Sequence, residues 1–240
     1  MNNLTSKTAL ITGGTKGIGF GVAQALLREG MNVAITSRSQ SNADEAAGKL
    51  DASNRVLALE ADVREHGAMK SAVQQTLDKF GTLDVLIANA GIGHFASIED
   101  LTDQQWHEVI DINLTGVFHT IKAGVEALKQ SEGYFITIAS LAGTNFFKQG
   151  AAYNASKFGL VGFTQAVMLD LRKHNIKTTT IMPGSVATHF NDHEPDAQDD
   201  AWKIWPEDLG QLTVDLLKMH PRTLPSKVEV RPTVPASERK

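Results

Sequence analysis

Short apolar runs alternate along this chain with longer stretches whose apolar residues recur every three or four positions. The expected strands are the apolar run Thr8 to Ile11, then Asn32 to Thr36, Val56 to Leu59, Asp84 to Ala88, Tyr134 to Ala139, Ile176 to Met182 and Val228 to Val230. Each has the length of a strand, and the first reads as buried. The intervening stretches carry a helical period. Val22, Leu26 and Leu27 share a face that ends at Gly30, and helices are expected over Asp44 to Leu50 and Glu65 to Phe80. Thr102-Asp103-Gln104-Gln105 fits a capping box, followed by Trp106, Val109, Ile110 and Leu114 at helical spacing. A further helix carries Tyr153 and Lys157 on to about His174, and a last one runs from Pro206 to about Met219.

Strands alternating with helices predict an α/β fold of the Rossmann type. Its seven-stranded parallel sheet is doubly wound, with helices on both faces. One domain is expected over 1–240. Its composition shifts near 185–207, where Asp192, Glu194, Asp196, Asp199 and Asp200 mix with His189, His193, Phe190 and Trp202. This stretch reads as a lid or a disordered loop, with a solvated acidic face. Residues 231–240 read as a polar, proline-containing tail that frays or packs on a partner chain.

Composition narrows the function. The 42% of hydrophobic residues supply a core, and a net charge of -4 offers no basic field for nucleic acid. With no cysteine, disulfides, thiolate metal sites and cysteine nucleophiles are excluded. The histidines are scattered without ligand spacing, so no metal is expected. No apolar run approaches a membrane span, and Met1 to Lys7 lacks the apolar region of a signal peptide. A cytoplasmic location is the expectation.

The candidate chemistry lies at the ends of the predicted strands. Thr12-Gly13-Gly14-Thr15-Lys16-Gly17-Ile18-Gly19 joins the first strand to the first helix. That arrangement offers backbone N–H groups and a helix N-terminus to a phosphate. The second strand ends in Ser37-Arg38, with no acid for a ribose hydroxyl. An arginine fork suits a phosphate, and Lys16 adds charge, so the pair points to NADP; the alternative is two solvated cations. Asp62-Val63 follows the third strand, where the carboxylate suits an adenine amino group or a helix cap. Asn89-Ala90-Gly91 closes the fourth strand, at the edge where parallel sheets bind ligands. Asn113, a polar amide among apolar neighbours, reads first as a structural hydrogen-bonding group.

Ser140 stands at the end of the fifth strand, and Tyr153 and Lys157 are one helical turn apart. An ammonium beside a phenol is expected to lower its pKa and suit it to proton transfer with an alcohol or carbonyl oxygen. Phe146, Phe147, His94, Phe95, Phe190 and Trp202 are candidates for an apolar substrate wall; ordinary packing is the other reading.

In this order and spacing, Thr12-Gly13-x-x-x-Gly17-x-Gly19, Asp62-Val63, Asn89-Ala90-Gly91, Asn113, Ser140, Tyr153-x-x-x-Lys157 and Pro183-Gly184 resemble the short-chain dehydrogenase/reductase family, in its compact single-domain form. The resemblance covers Thr8 to about Arg231. It implies NADP(H) held by Gly13, Thr15, Lys16, Gly17, Ile18, Gly19, Ser37, Arg38, Asp62, Val63, Asn89, Ala90 and Gly91. Pro183, Gly184, Val186 and Thr188 would serve the nicotinamide end. Tyr153 becomes the general acid of reduction, and Lys157 tunes it and holds the nicotinamide ribose. Ser140 donates to the substrate oxygen, and Asn113 holds a water that links Lys157 to solvent. The resemblance also implies a homo-oligomer, a tetramer or dimer, built on helices around 102–130 and 152–173. The chain ends Pro225-Ser226-Lys227-Val228-Glu229-Val230-Arg231-Pro232 where many members carry Asp-Gly-Gly.

The implied reaction is hydride transfer between nicotinamide and a small-molecule carbonyl or secondary alcohol. A 3-oxoacyl thioester is the first substrate expected, and a small ketone, alcohol or sugar the alternative. A dinucleotide sensor without turnover is the rival from another class. The full set of Asn113, Ser140, Tyr153 and Lys157 speaks against it.

Overall fold

The computed structural model describes residues 3–52, 54–235 and 238. Within the predicted tail, Ala236, Ser237, Arg239 and Lys240 lie outside the described residues. The seven strands are β1 (Thr8–Ile11), β2 (Asn32–Ser37), β3 (Val56–Glu60), β4 (Val85–Ala88), β5 (Tyr134–Ile138), β6 (Lys177–Pro183) and β7 (Lys227–Val230). They form one parallel sheet in the order β3-β2-β1-β4-β5-β6-β7. Every residue of β1, β4 and β5 is buried. That follows from apolar runs covered on both faces.

The helices are α1 (Gly17–Arg28), α2 (Gln40–Leu50), α3 (His66–Phe80), α4 (Asp103–Ile110), α5 (Gly116–Ser131), α6 (Ala151–Leu171) and α7 (Pro206–Lys218). One core joins Val22, Leu26, Leu209 and Leu217 to one face of the sheet. The other joins Met69, Val117, Leu128 and Leu160 to the opposite face. The doubly wound sheet read from the sequence is the one observed.

Two helices depart from their expected form. α2 begins at Gln40, four residues before the expected Asp44, because its first turn is polar and shows no apolar period. The stretch from Thr102 forms its capping box, yet α4 and α5 are joined by a π-helical turn, Asp111–Thr115. Among the described residues no helix is long and apolar enough to cross a membrane.

Strand order reverses between β1 and its two neighbours β2 and β4, which opens a crevice at the carboxyl ends of the strands. α1 is aimed at this crevice and braced from behind by α7. The two helices cross at glycines: a Cβ on Gly21 would stand 2.6 Å from the Pro206 carbonyl oxygen, and one on Gly210 2.6 Å from the Gly21 oxygen.

Alanine ordinarily favours a helix over glycine by about 1 kcal/mol. At Gly21 the clash should outweigh that gain, and Gly21→Ala is expected to lose about 1–3 kcal/mol of stability. Urea unfolding measures it; a more stable variant would show that the two helices have room to part.

Candidate active site

The glycine turn after β1 forms a cradle. Gly13 and Gly17 have φ of 63° and 54°, a region that side chains disfavour. Lys16 is the N-cap of α1 and provides no side-chain cap, so the first N–H groups of the helix are offered to the crevice. The turn is pinned to the end of β4. The Thr12 hydroxyl accepts from the Asn89 and Ala90 N–H groups at 3.0 and 3.1 Å. The Asn89 amide donates to the Thr12 and Gly13 carbonyls, both at 2.9 Å. Asn89 thus shapes the turn through its side chain.

The crevice has a volume of about 1460 Å³ and is continuous from the glycine turn to the end of β5. Gly13, Thr15, Lys16, Gly17, Ile18, Ser37 and Arg38 line one end, with Asp62, Val63, Asn89, Ala90 and Gly91 beside them. Ser140, Tyr153, Lys157, Pro183, Gly184, Val186 and Thr188 line the crevice as well, with the Thr188 side chain beside Gly17. Of the residues singled out in the sequence, Gly19 and Asn113 stand just behind this lining. A Cβ on Gly19 would lie 2.5 Å from the Asn89 amide nitrogen, so this glycine permits the turn and β4 to meet.

Asp62 does not cap α3, whose N-cap is Glu65. Its carboxylate instead accepts from the Arg64 backbone N–H at 3.0 Å and from the guanidinium at 2.6 to 3.1 Å. The Arg64 hydrogen bonds hold its pKa below the usual carboxylate range. Arg64 itself lines the crevice and was missed by the sequence reading, where Asp62-Val63 drew attention one residue too early.

Asn113 is fully buried in the π-helical turn. Its amide donates to the Ile92 carbonyl at 2.8 Å and to the Ser156 hydroxyl at 3.0 Å, and its oxygen accepts from the Ile92 N–H at 2.9 Å. The structural reading of Asn113 is therefore realised: it ties the loop after β4 to α6.

Four residues in the first two turns of α6 reach different parts of the site. Tyr153 faces the crevice, Asn154 turns to the loop after Ser140, Ser156 meets Asn113, and Lys157 reaches under the end of β5. Ser140 accepts at its hydroxyl oxygen from the Ala142 N–H at 3.1 Å. Lys157 is 4% exposed and donates from Nζ to the Ile138 carbonyl at 3.1 Å. Burial pushes its pKa down from 10.5 to about 8. Its ammonium lies 5.6 Å from the centre of the Tyr153 ring.

The expected lowering of the Tyr153 pKa is not what the structure shows. Burial raises it, and a hydrogen bond with Ser140 opposes that rise. The spacing does place the lysine beside the ring, but removal of the phenol from water dominates, and Nζ is directed at the Ile138 carbonyl.

Aromatic rings enclose Tyr153. Phe95 meets it edge-on at 5.5 Å and Phe190 at 5.7 Å, while Phe147 packs on Phe95 at 5.7 Å. His94, Phe190 and Trp202 line the crevice, but Phe146 is 87% exposed and lies outside it. The acidic stretch is only partly a solvated face. Asp200 is 2% exposed and accepts from Lys203 and His193, each at 2.5 Å. The bridge between Val186 and Ile204 closes the base of the segment.

These features define a class first: an open α/β sheet with a crevice at its switch point, holding a serine, a tyrosine and a buried lysine together. Comparison with known proteins gives the family. Residues 7–199 match the model described as short chain dehydrogenase, and the chain belongs to that family of oxidoreductases, which act between CH–OH and C=O groups. Among similar sequences, trans-4-hydroxycyclohexanecarboxylate dehydrogenase of Sinomonas cyclohexanicum is 38% identical over 78% of this chain and 75% of its own length. A 3-oxoacyl-[acyl-carrier-protein] reductase of Synechocystis is 36% identical over 80% of this chain and 79% of its own. Among solved structures, an alcohol dehydrogenase of Thermococcus sibiricus complexed with 5-hydroxy-NADP superposes with a TM-score of 0.89 at 27% identity, over 95% of this chain and 97% of that one. A Brucella melitensis 3-ketoacyl-(acyl-carrier-protein) reductase complexed with NADH gives 0.87 at 25% identity, over 96% and 98%.

The buried lysine carries a stability signature. Its folded pKa of about 8 lies below its ordinary 10.5, so the folded state resists the charge. That penalty is fully present below pH 8, on the order of 3 kcal/mol, and is relieved as pH rises towards 10.5. Lys157→Met gives up one hydrogen bond, worth about 1 kcal/mol. The variant should therefore be more stable than the parent at pH 7, with the gap closing by pH 10. Urea unfolding at both values checks this; a less stable variant at pH 7 would mean that the site favours the ammonium.

Proposed function

We propose that the protein is an NADP(H)-dependent reductase, reversible as an alcohol dehydrogenase, whose substrate oxygen binds between Ser140 and Tyr153. The observation that carries this reading is the convergence of Ser140, Tyr153 and Lys157 in the crevice that also receives the uncapped N-terminus of α1. The residues fit the cofactor. The helix N-terminus and glycine turn suit a pyrophosphate, and Lys16 and Arg38 at the far end suit a further phosphate on the ribose. The Thermococcus neighbour's 5-hydroxy-NADP agrees with that preference, while the Brucella neighbour's NADH makes it a point to test.

Bound NADP(H) would supply or accept the hydride. Ser140 accepts a hydrogen bond from Ala142 and bonds the Tyr153 hydroxyl, and on substrate binding its O–H turns to donate to the carbonyl oxygen. Tyr153, kept protonated by burial, gives its proton as charge develops on that oxygen. Lys157 is largely charged at neutral pH and stabilises the phenolate left behind. Its Nζ and the Asn113 oxygen both flank Gly91, where a water would link the lysine towards solvent. Pro183, Gly184, Val186 and Thr188 would hold the nicotinamide end, the last two at the start of the 185–207 segment that serves as lid.

A 3-oxoacyl thioester is the first substrate of this reading, in line with the Synechocystis relative. A compact ring ketone is the second, favoured by the Phe95 and Phe190 rings against Tyr153. The exposed Trp106, Phe118, Phe158 and Leu169 on α4, α5 and α6 support a homo-oligomer through those helices.

NADPH consumption with acetoacetyl thioesters, cyclic ketones and linear ketones should separate the two substrates. Tyr153→Phe is expected to lose at least about a hundredfold in turnover while NADPH still binds; near-parent turnover would remove Tyr153 from the reaction. Arg38→Asp should weaken NADPH by about tenfold or more and leave NADH nearly unchanged. Equal effects on both cofactors would show that Arg38 does not read the second phosphate.

A further inference from the structure

Asn154 stands between the tyrosine and lysine of α6 and is 9% exposed. Its amide nitrogen donates to the Ala142 carbonyl at 2.7 Å and the Asn145 carbonyl at 2.8 Å. Its oxygen accepts from the Phe147 N–H at 3.3 Å. One side chain thus holds the loop that follows Ser140 at three points. The first of them bears directly on the serine: the Ala142 residue whose carbonyl Asn154 grips also gives its N–H to the Ser140 hydroxyl oxygen, at 3.1 Å. The path runs from α6 through Asn154 and Ala142 to Ser140. The backbone makes room for it, since a Cβ on Gly150 would lie 2.5 Å from the Asn154 oxygen.

We propose that Asn154 is a positioning residue that sets where the Ser140 hydroxyl stands relative to Tyr153. An amide suits the task because two carbonyls need donors and one N–H needs an acceptor, and asparagine alone among short side chains supplies two donor hydrogens and an acceptor together. A carboxylate there would face two carbonyl oxygens. Because Tyr153 and Asn154 are adjacent on one helix, any movement of α6 carries phenol and serine loop together, which preserves the pair's geometry. At the far end of the loop, Phe147 packs on Phe95 and Phe95 on Tyr153, so the same side chain also steadies the aromatic wall. This inference rests on the reading of Ser140 and Tyr153 as partners at the substrate oxygen.

The chain has two tyrosines, so protein labelled at the tyrosine ¹³Cζ gives two resonances, with Tyr134→Phe identifying that of Tyr153. The Tyr153 shift at pH 7 reports the hydrogen bond at its hydroxyl and needs no substrate. Ser140→Ala should move it. Asn154→Ala should move it in the same direction, and the double variant should move it no further than Ser140→Ala alone. An unchanged resonance in Asn154→Ala, or additive shifts in the double variant, would overturn the proposal. An unmoved resonance in Ser140→Ala would instead overturn the pairing of Ser140 with Tyr153, and this inference with it. If Asn154→Ala fails to fold, Asn154→Ser, which keeps a hydroxyl on the same turn, takes its place with the same criteria.

Discussion

The site depends on one buried contact: the Lys157 ammonium lodged under the end of β5 against the Ile138 carbonyl. A lysine so enclosed is costly, and its pKa near 8 measures that cost. The neighbouring residues of the same helix offset it by fastening the helix to its surroundings. Asn154 grips the serine loop, Ser156 meets Asn113, and Asn113 in turn holds the loop after β4. Residues one to four positions apart on α6 therefore bring together a phenol, an ammonium and the serine's loop. The arrangement of the site and the local fold rest on the same set of hydrogen bonds.

On the cofactor side the constraint is close approach. Gly21 and Gly210 let α1 and α7 cross nearly backbone to backbone, which fixes the direction of α1. Thr12 and Asn89 then lock the glycine turn to β4, so the helix N-terminus and the end of the central sheet share one wall. Arg38 and Tyr153 line one and the same crevice along that wall. The reading of an NADP(H) reductase draws its support from this alignment, and the family's oxidoreductase chemistry is consistent with it.

Much of this was legible in the sequence. The central strands β1, β4 and β5 show as apolar runs because a sheet covered on both faces leaves no polar alternation to confuse them. The glycine turn and the Tyr153–Lys157 spacing depend on local geometry, which spacing encodes. What was illegible depends on depth and on distant partners. The spacing places Lys157 beside Tyr153 but does not reveal that burial raises the phenol's pKa. A run of carboxylates does not show which one will be buried between His193 and Lys203, where Asp200 lies. The π-helical turn that aims Asn113 at Ile92 leaves no trace in an apolar period that fits an ordinary helix. Asn154 is a single polar residue whose partners lie in the folded loop after Ser140, so nothing local marks it; Arg64 pairs with Asp62 two residues away, but no spacing shows that it lines the crevice.

The most direct test of the central contact is the titration of the Lys157 side-chain nitrogen by ¹⁵N NMR in the free protein, assigned with Lys157→Met. A midpoint near 8 is the expected result, the value that burial against β5 imposes. A midpoint near the ordinary 10.5 would contradict the account, since it would place the ammonium in water or beside a compensating charge, and the phenol could no longer share its enclosure.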